Sequence, residues 1–174
     1  MKHFGTDGIR GKWQKVKDQA YPLGVVLAER YKIIAVARDT RTSSFDIEKE
    51  LVRGLLSGGA DVLLTGVMPT PALAYIVKEH KIDCAVMITA SHNPPEYNGL
   101  KVMSGKGKLD EKEESDLDDA LDNFLKCKIS ASGRVDIMSG AVREYKRHIQ
   151  SIFSHLDLTT LDRPVYIDTA HGCF

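Results

Sequence analysis

A short apolar run that ends abruptly in prolines is the feature that most limits how this chain can fold. Residues 83–88 read DCAVMI and lead directly into TASHNPP at positions 89–95. A brief apolar run of this kind is typical of a strand buried in a parallel sheet, and the prolines force the chain to turn after it. Ligands of open α/β sheets gather at the carboxyl ends of strands. The pattern therefore places Ser91 where a functional side chain would lie, although an ordinary polar loop is the alternative.

Strands and helices alternate along the first hundred residues. The predicted strands are Lys32–Ala37, Asp61–Thr65, Asp83–Ile88 and Leu100–Met103. Ser44 is predicted to cap a helix that Gly58 and Gly59 close. Thr70 and Pro71 are predicted to begin the next helix. This alternation favours an α/β fold in which a mainly parallel sheet is covered by helices on both faces.

Composition and charge exclude several classes of function. Lys plus Arg and Asp plus Glu each number 24, so no net charge attracts nucleic acid or an anionic membrane. Cys84, Cys127 and Cys173 form no C-x-x-C pair and no metal-ligand spacing, a pattern typical of reduced thiols. The first residues contain no apolar signal core, and no stretch approaches the length of a membrane span. These observations predict a cytoplasmic protein without nucleic-acid or membrane partners.

An acidic segment at residues 110–116 invites interpretation as a cation site, but helix chemistry explains it better. Asp110 and Glu113 have the spacing of a capping box, and acidic groups in a first turn complement the helix dipole. The buried stripe of this helix is predicted to comprise Leu117, Leu121, Phe124 and Leu125. Gly105–Lys108 lacks the spacing of a nucleotide-binding loop and predicts a hairpin turn. A later helix, capped near Ser139, is predicted to lead out of the first domain.

Four segments, in order, resemble the α-D-phosphohexomutase family. The TASHNP motif is similar to the family's loop that carries a phosphoserine. FGTDGIRG at Phe4–Gly11 resembles the family's N-terminal signature, and Arg38–Ser44 resembles its D-x-R segment with paired serines. Tyr97–Lys101 matches its YNG-x-K element. The opening and residues 68–72 look most like bacterial phosphoglucosamine mutases, whereas Thr89 and Tyr97–Gly99 also suit phosphomannomutase and phosphoglucomutase relatives.

The resemblance implies a fold and a division into domains. Residues 1–138 would form the family's first domain, a three-layer α/β/α unit with a mixed, mainly parallel sheet of four strands. Residues 139–174 would form a connecting helix and the first strand of a truncated second α/β domain, with Pro164–Gly172 read as that strand followed by a tight turn. The family's D-G-D-G-D metal loop, its sugar-selecting loop and its distal phosphate loop do not occur in this sequence. An unpaired strand at the end of the chain would favour self-association.

The resemblance also implies catalytic roles for several residues. Ser91 would carry the phosphoryl group, and its phosphate would supply one oxygen ligand to Mg²⁺ in the complete enzyme. Arg10 and Lys101 would neutralise charge at the transferred phosphate and help to handle the proton of the sugar hydroxyl. For both cations the ordinary alternative is a solvated surface side chain.

Three further polar residues have open alternatives. His92 would orient the loop or contact phosphate, or would only make a hydrogen bond that stabilises the loop. Arg41 is a second candidate for binding phosphate, and a surface ion pair with Asp39 or Asp46 is its alternative. His171 is interpreted as part of a turn.

The implied activity is interconversion of hexose 6-phosphate and hexose 1-phosphate, with glucosamine phosphate as the favoured substrate. The reaction would pass through the phosphoserine and a hexose 1,6-bisphosphate. A serine hydrolase is a rival, but the loop lacks the G-x-S-x-G pattern, and adjacent Ser91 and His92 make a poor nucleophile–base pair. The stronger rival is a truncated, non-catalytic remnant or binding domain, because the metal loop is missing.

Overall fold

The computed structural model describes residues 3–5, 8–127, 133–157, 162–169 and 172–173. Its strands are β1 (Ile9–Lys12), β2 (Ile33–Arg38), β3 (Asp61–Val67), β4 (Cys84–Ile88), β5 (Tyr97–Ser104), β6 (Gly107–Lys108) and β7 (Val135–Ile137). Its helices are α1 (Trp13–Arg30), α2 (Ser44–Gly58), α3 (Thr70–Glu79), α4 (Glu111–Asp122) and α5 (Ala141–Ile152), with a 3-10 turn at Phe124–Lys126. Among the described residues, no helix is long and apolar enough to cross a membrane.

The strands form one mixed sheet in the order β1-β5-β4-β2-β3-β7, with β6 paired to β5. The central strands β4, β2 and β3 are parallel, as is β7, whereas β1, β5 and β6 pair antiparallel. The loop at residues 89–96 is too short for the crossover that a parallel neighbour would need, so β5 returns antiparallel to β4. The described sheet has seven strands rather than the expected four, because three short strands extend its edges.

Helices cover both faces of the sheet and enclose a separate apolar core on each. Successive residues of β4 point to opposite faces, and all five are buried. Val86 and Ile88 join the core under α1, α2 and α4, while Ala85 and Met87 join the core under α3 and α5. Burial on both faces explains why β4 reads as a continuous apolar run. The predicted α/β class with three layers is confirmed.

Helix α1 was not predicted from the sequence. Pro22 lies inside it, and an internal proline ordinarily argues against a helix because it lacks an N–H donor. The helix nevertheless buries Val16, Leu23 and Leu27 at helical spacing against the sheet and α2. Tertiary packing therefore overrides the local signal.

The predicted bounds of α2 and α3 are correct to within a residue, but two predicted caps are wrong. Ser44 is the first residue of α2 and donates its hydroxyl to Asp39 at 2.7 Å instead of capping the helix. Thr70 follows the N-cap position, which Pro69 occupies. Gly59 ends α2 in the left-handed conformation, as expected, with φ of 89°. The capping box of Asp110 and Glu113 and the turn before β6 are confirmed.

The later part of the described chain agrees with the expectations only in part. Helix α5 begins after Gly140 and packs against α3, where Tyr75 stacks on His148 with ring centroids 4.2 Å apart. Leu125 is 86% exposed and does not belong to the buried stripe of α4. Residues 164–169 form no strand, because none of the described strands pairs with them. The division into domains at residue 138 remains a prediction.

Some predicted positions lie outside the described residues. These are Thr6 and Asp7 of the N-terminal signature, and Ala170 and His171 of the last segment.

Candidate functional site

A cleft of about 740 Å³ opens at the carboxyl ends of β2 and β4. Four segments line it: the loop after β2, the end of β4 with the loop that follows it, the beginning of α3, and residues 172–173. Five small hydroxyl side chains line it, namely Thr40, Thr42, Thr70, Thr89 and Ser91. A cavity of this size suits a small-molecule ligand. The position agrees with the general rule for open α/β sheets.

Ser91 lies exposed on the wall of this cleft in a strained backbone conformation. Its φ is 57°, in the left-handed region that few residues other than glycine occupy. Its amide donates to Thr89 Oγ1 at 3.0 Å, and Thr89 Oγ1 in turn donates to Asp39 Oδ2 at 2.7 Å. Such a conformation costs about 1–3 kcal/mol and persists only where the surroundings enforce it. The fold therefore fixes the position of this hydroxyl.

Two other predicted residues lie beside Ser91. The Ser91 Oγ and His92 Nδ1 atoms are 3.4 Å apart, a weak contact between neighbouring residues. Arg10 projects from β1, where it pairs with Gly99 of β5, and its Nη1 donates to Asn93 Oδ1 at 3.4 Å. Arg10 is solvent-exposed, so its guanidinium is accessible to an anion.

Arg41 has a dense set of partners within the same loop. Its Nε donates to Asp39 Oδ2 at 3.1 Å. Its two terminal nitrogens donate to backbone carbonyls, at 2.9 Å to Ser91, 2.7 Å to Asn93, 2.9 Å to Pro94 and 3.2 Å to Tyr97. The ion pair with Asp39 that the sequence analysis left open is therefore present, and it is largely buried.

Lys101 lies on β5, opposite Met87 of β4, and lines a neighbouring cavity of about 260 Å³. Thr70 lines both cavities, so both border the start of α3. Gly8 packs on the backbone beside Lys101, where a Cβ would lie 3.0 Å from the Lys101 Cα. The φ of Gly8 is 111°, which favours glycine at this position. The fold thus brings the N-terminal signature and the YNG-x-K element together.

A network of buried polar residues around the Ser91 loop was not predicted from the sequence. Asp39 accepts hydrogen bonds from Ser44 and Thr89, each at 2.7 Å, in addition to those from Arg41. Asn98 is fully buried, and its amide nitrogen donates to Ser43 at 2.9 Å and Ser44 at 3.0 Å. The paired serines of the D-x-R segment were the sequence signal for this network, because a serine hydroxyl can both donate and accept a hydrogen bond inside the protein.

Cys173 also lines the cleft. Burial, followed by the negative charge of Asp39, raises the pKa of its thiol, and a hydrogen bond to the backbone of Thr40 lowers it by less. The thiol therefore stays protonated at neutral pH and is a poor nucleophile.

The described residues do not offer a complete metal site. No group of three or more His, Cys, Asp or Glu side chains within that part of the chain could hold an ion. Asp39, the buried carboxylate nearest to Ser91 in the network, is occupied by hydroxyl and guanidinium donors. These side chains therefore do not fit Mg²⁺ without ligands from elsewhere.

Sequence comparison identifies relatives over nearly the whole chain. Phosphoglucosamine mutase from Methanococcus maripaludis is 40% identical over 180 residues, covering 99% of this chain and 38% of the relative. Phosphoglucosamine mutase from Thermosipho africanus is 38% identical over 175 residues, covering 99% of this chain and 40% of the relative. The chain thus spans about two fifths of the length of these curated relatives.

A solved structure shows the same fold. A phosphoglucomutase/phosphomannomutase family protein from Burkholderia thailandensis superposes with a TM-score of 0.71 at 23% identity, covering 94% of this chain and 37% of the other. Residues 1–124 match the family described as phosphoglucomutase/phosphomannomutase, alpha/beta/alpha domain I. The matched residues include Ser91 with its loop, and the cations Arg10, Arg41 and Lys101. The chain therefore belongs to the phosphoglucomutase/phosphomannomutase family, and residues 1–124 correspond to its first domain.

Proposed function

We propose that this chain carries the phosphoserine of a phosphohexomutase that interconverts hexose 6-phosphate and hexose 1-phosphate. Glucosamine phosphate is the proposed substrate, since relatives that are 38–40% identical are phosphoglucosamine mutases. The observation that carries the proposal is the geometry of Ser91. An exposed hydroxyl is held in a left-handed turn at the end of a central strand, on the wall of a cleft of ligand size.

The proposed reaction consists of two phosphoryl transfers. In the first, the P–Oγ bond of phosphorylated Ser91 breaks and a P–O bond forms to the free hydroxyl of the sugar phosphate; the sugar hydroxyl loses its proton and Ser91 Oγ gains one. The resulting bisphosphate reorients. Its other phosphate then returns to Ser91 Oγ, which loses its proton, and the sugar oxygen released from the phosphorus gains one. The sum is movement of phosphate between the two sugar positions.

The surrounding residues support this chemistry through charge and position. Phosphoryl transfer depends chiefly on alignment and on neutralising the charge of the phosphate oxygens. Arg10 is exposed beside the loop and would contact the transferred phosphate. Lys101, on the adjoining strand, would neutralise charge and exchange a proton with the sugar hydroxyl. His92, next to Ser91, would donate to a phosphate oxygen. No step is assigned to Mg²⁺, because the described side chains do not fit it.

A cytoplasmic location is part of the proposal. The three cysteines are unpaired, which fits a reducing compartment.

Phosphorylation of Ser91 tests the proposed function. The chain and the full-length Methanococcus maripaludis relative would be incubated with glucose 1,6-bisphosphate, and phosphate would be located by intact-mass and peptide mass spectrometry. We expect one phosphate per chain, on Ser91, and none on the Ser91→Ala variant. Ser43, Ser44 and Ser104 are buried and serve as internal controls. Phosphate on any of them, with Ser91 unmodified, would show that the assignment is wrong.

A further inference from the structure

We propose that Arg41 is the positioning residue of the Ser91 loop and does not bind the substrate phosphate. The inference rests on the proposed function, because Ser91 is the group that this loop presents. It replaces the phosphate-binding role that the sequence suggests for Arg41 with a role as an internal cation of the loop.

The hydrogen-bonding capacity of Arg41 is fully used inside the protein. An arginine side chain has five N–H donors and no acceptor. One donor reaches Asp39 Oδ2 at 3.1 Å, and four reach the carbonyl oxygens of residues 91, 93, 94 and 97 at 2.7–3.2 Å. The side chain is only 15% exposed. A phosphate could bind here only by displacing bonds that the folded loop already makes.

The loop needs a cation at this position. Four carbonyl oxygens from residues 91–97 converge on one guanidinium group. Without a cation between them their partial negative charges would repel one another, and these carbonyls would depend on water for the hydrogen bonds that Arg41 now donates. The planar fork of arginine satisfies several carbonyls at once, whereas the single ammonium of lysine cannot reach them all.

Arg41 is itself held in place by hydrogen bonds to Asp39. Asp39 accepts from both the backbone amide and the Nε of Arg41, at 3.0 and 3.1 Å. The same carboxylate accepts from Thr89, which accepts from the amide of Ser91. The backbone of Ser91 is thus held at two atoms: its amide donates to Thr89, and its carbonyl oxygen accepts from Arg41. These contacts are what keeps its φ at 57°.

Hydrogen exchange without ligand tests the positioning role directly. In Arg41→Ala, we expect the amides of residues 89–97 to exchange at least about tenfold faster, because the loop loses its internal bonds. Arg41→Lys should behave similarly. Arg53→Ala is the matched control, since Arg53 bonds Glu50 on the surface of α2 and should leave the loop unchanged. Exchange in β2 and β4, measured in the same samples, reports global unfolding. If Arg41→Ala unfolds globally, the comparison is made with Arg41→Lys.

Phosphorylation kinetics separate positioning from phosphate binding. At saturating glucose 1,6-bisphosphate, the rate constant for phosphorylating Ser91 in Arg41→Ala should fall about tenfold or more, while the half-saturating concentration stays unchanged. Guanidinium chloride at about 20 mM, far below denaturing concentrations, should restore both loop protection and the rate in Arg41→Ala. It should have no effect on Arg53→Ala.

The opposite pattern would overturn the inference. Unchanged loop exchange in Arg41→Ala, together with a raised half-saturating concentration, would make Arg41 a phosphate ligand. Failure of the proposed function looks different: Ser91 of the unaltered chain would accept no phosphate, while the exchange experiment would still decide whether Arg41 orders the loop.

Discussion

Buried polar side chains, rather than the exposed ones, determine the geometry around Ser91. Asp39 and Asn98 each connect segments that are some fifty residues apart in sequence, through Thr89 in one case and Ser43 with Ser44 in the other. Buried groups of this kind are costly to leave unpaired, so the network is stable only as a complete set. The precise position of one serine therefore depends on residues from three separate motifs.

The sequence predicted part of this site for a physical reason. A serine that follows an apolar strand and precedes two prolines must lie at a strand end, so local chemistry was enough to locate Ser91. Arg41 was different, because its five partners come from the neighbouring Asp39 and from a loop some fifty residues away. Pattern alone cannot distinguish an arginine that binds a ligand from one that binds its own backbone.

At the scale of single residues, Glu48 provides a pH-dependent prediction. Burial raises the pKa of this carboxyl, and the nearby positive charge of Arg38 only partly offsets the rise. Arg38 Nε forms an ion pair with Glu48 Oε2 at 3.4 Å, but its geometry is poor for a hydrogen bond, so hydrogen bonding also offsets the rise only in part. The folded chain thus binds this proton more tightly than the unfolded chain. The contribution of Glu48 to stability is therefore full at low pH and is lost as the pH rises through the folded pKa, starting from about pH 4.

The Glu48→Gln variant should not show this loss. We expect the free energy of unfolding of the variant, relative to that of the unaltered chain, to increase with pH across the window. Urea unfolding at a series of pH values from about 4 to 7 measures the difference. Curves that stay parallel throughout would show that burial does not control this carboxyl.

At the scale of helices and strands, periodicity and glycine positions predicted most of the parallel half of the sheet. Strands β2, β3 and β4 and helices α2 and α3 lie within a few residues of their predicted bounds. Helix α1 was missed because Pro22 obscures its apolar spacing. The direction of β5 was not predicted, since it follows from the length of the Ser91 loop and not from the strand's own residues.

Close packing of α1 on α2 gives a prediction at this scale. A Cβ on Gly24 would lie 2.5 Å from the carbonyl oxygen of Leu51 and 2.7 Å from the amide nitrogen of Leu55. Helix propensity alone predicts that Gly24→Ala stabilises α1 by about 1 kcal/mol. We expect the opposite, a net loss of about 1–3 kcal/mol, because backbone atoms cannot rotate away and the helices must separate. Thermal and urea unfolding measure the change.

Gly11→Ala is the control for that experiment. A Cβ at Gly11 would meet only a side-chain atom of Val16, at an ordinary 4.0 Å. Its stability should change by about 0.5 kcal/mol or less. A Gly24→Ala variant as stable as the unaltered chain would mean that the two helices do not approach this closely.

At the scale of the whole molecule, the described sheet and its helices bury two apolar cores, but they lack part of the charged groups that phosphoryl transfer needs. Each face has its own buried cluster, and α5 adds to the one under α3. By contrast, residues 162–169 leave Val165, Tyr166 and Ile167 at 68%, 91% and 82% exposure. The two cores were predictable from apolar periodicity, whereas the packing of α5 on α3 depends on ring contacts that no sequence pattern shows.

This contrast predicts a stable fold without turnover for the 174-residue polypeptide on its own. We expect slow hydrogen exchange in β2 and β4, fast exchange at residues 162–169, and no detectable conversion of glucosamine 6-phosphate in a coupled assay. Uncatalysed phosphate-ester chemistry requires the removal of about 20 kcal/mol of barrier. Ser91, Arg10 and Lys101 supply one wall of charge, and the described residues lack a metal cluster to add to it.

Slow, stoichiometric phosphorylation of Ser91 remains compatible with this, because it needs one transfer and no reorientation. Added Mg²⁺ should not restore conversion, since one serine phosphate gives too few oxygen ligands. The full-length Methanococcus maripaludis relative is the positive control, and Ser91→Ala is the negative one. Conversion by the polypeptide that Ser91→Ala abolishes would show that these three residues are a sufficient catalyst.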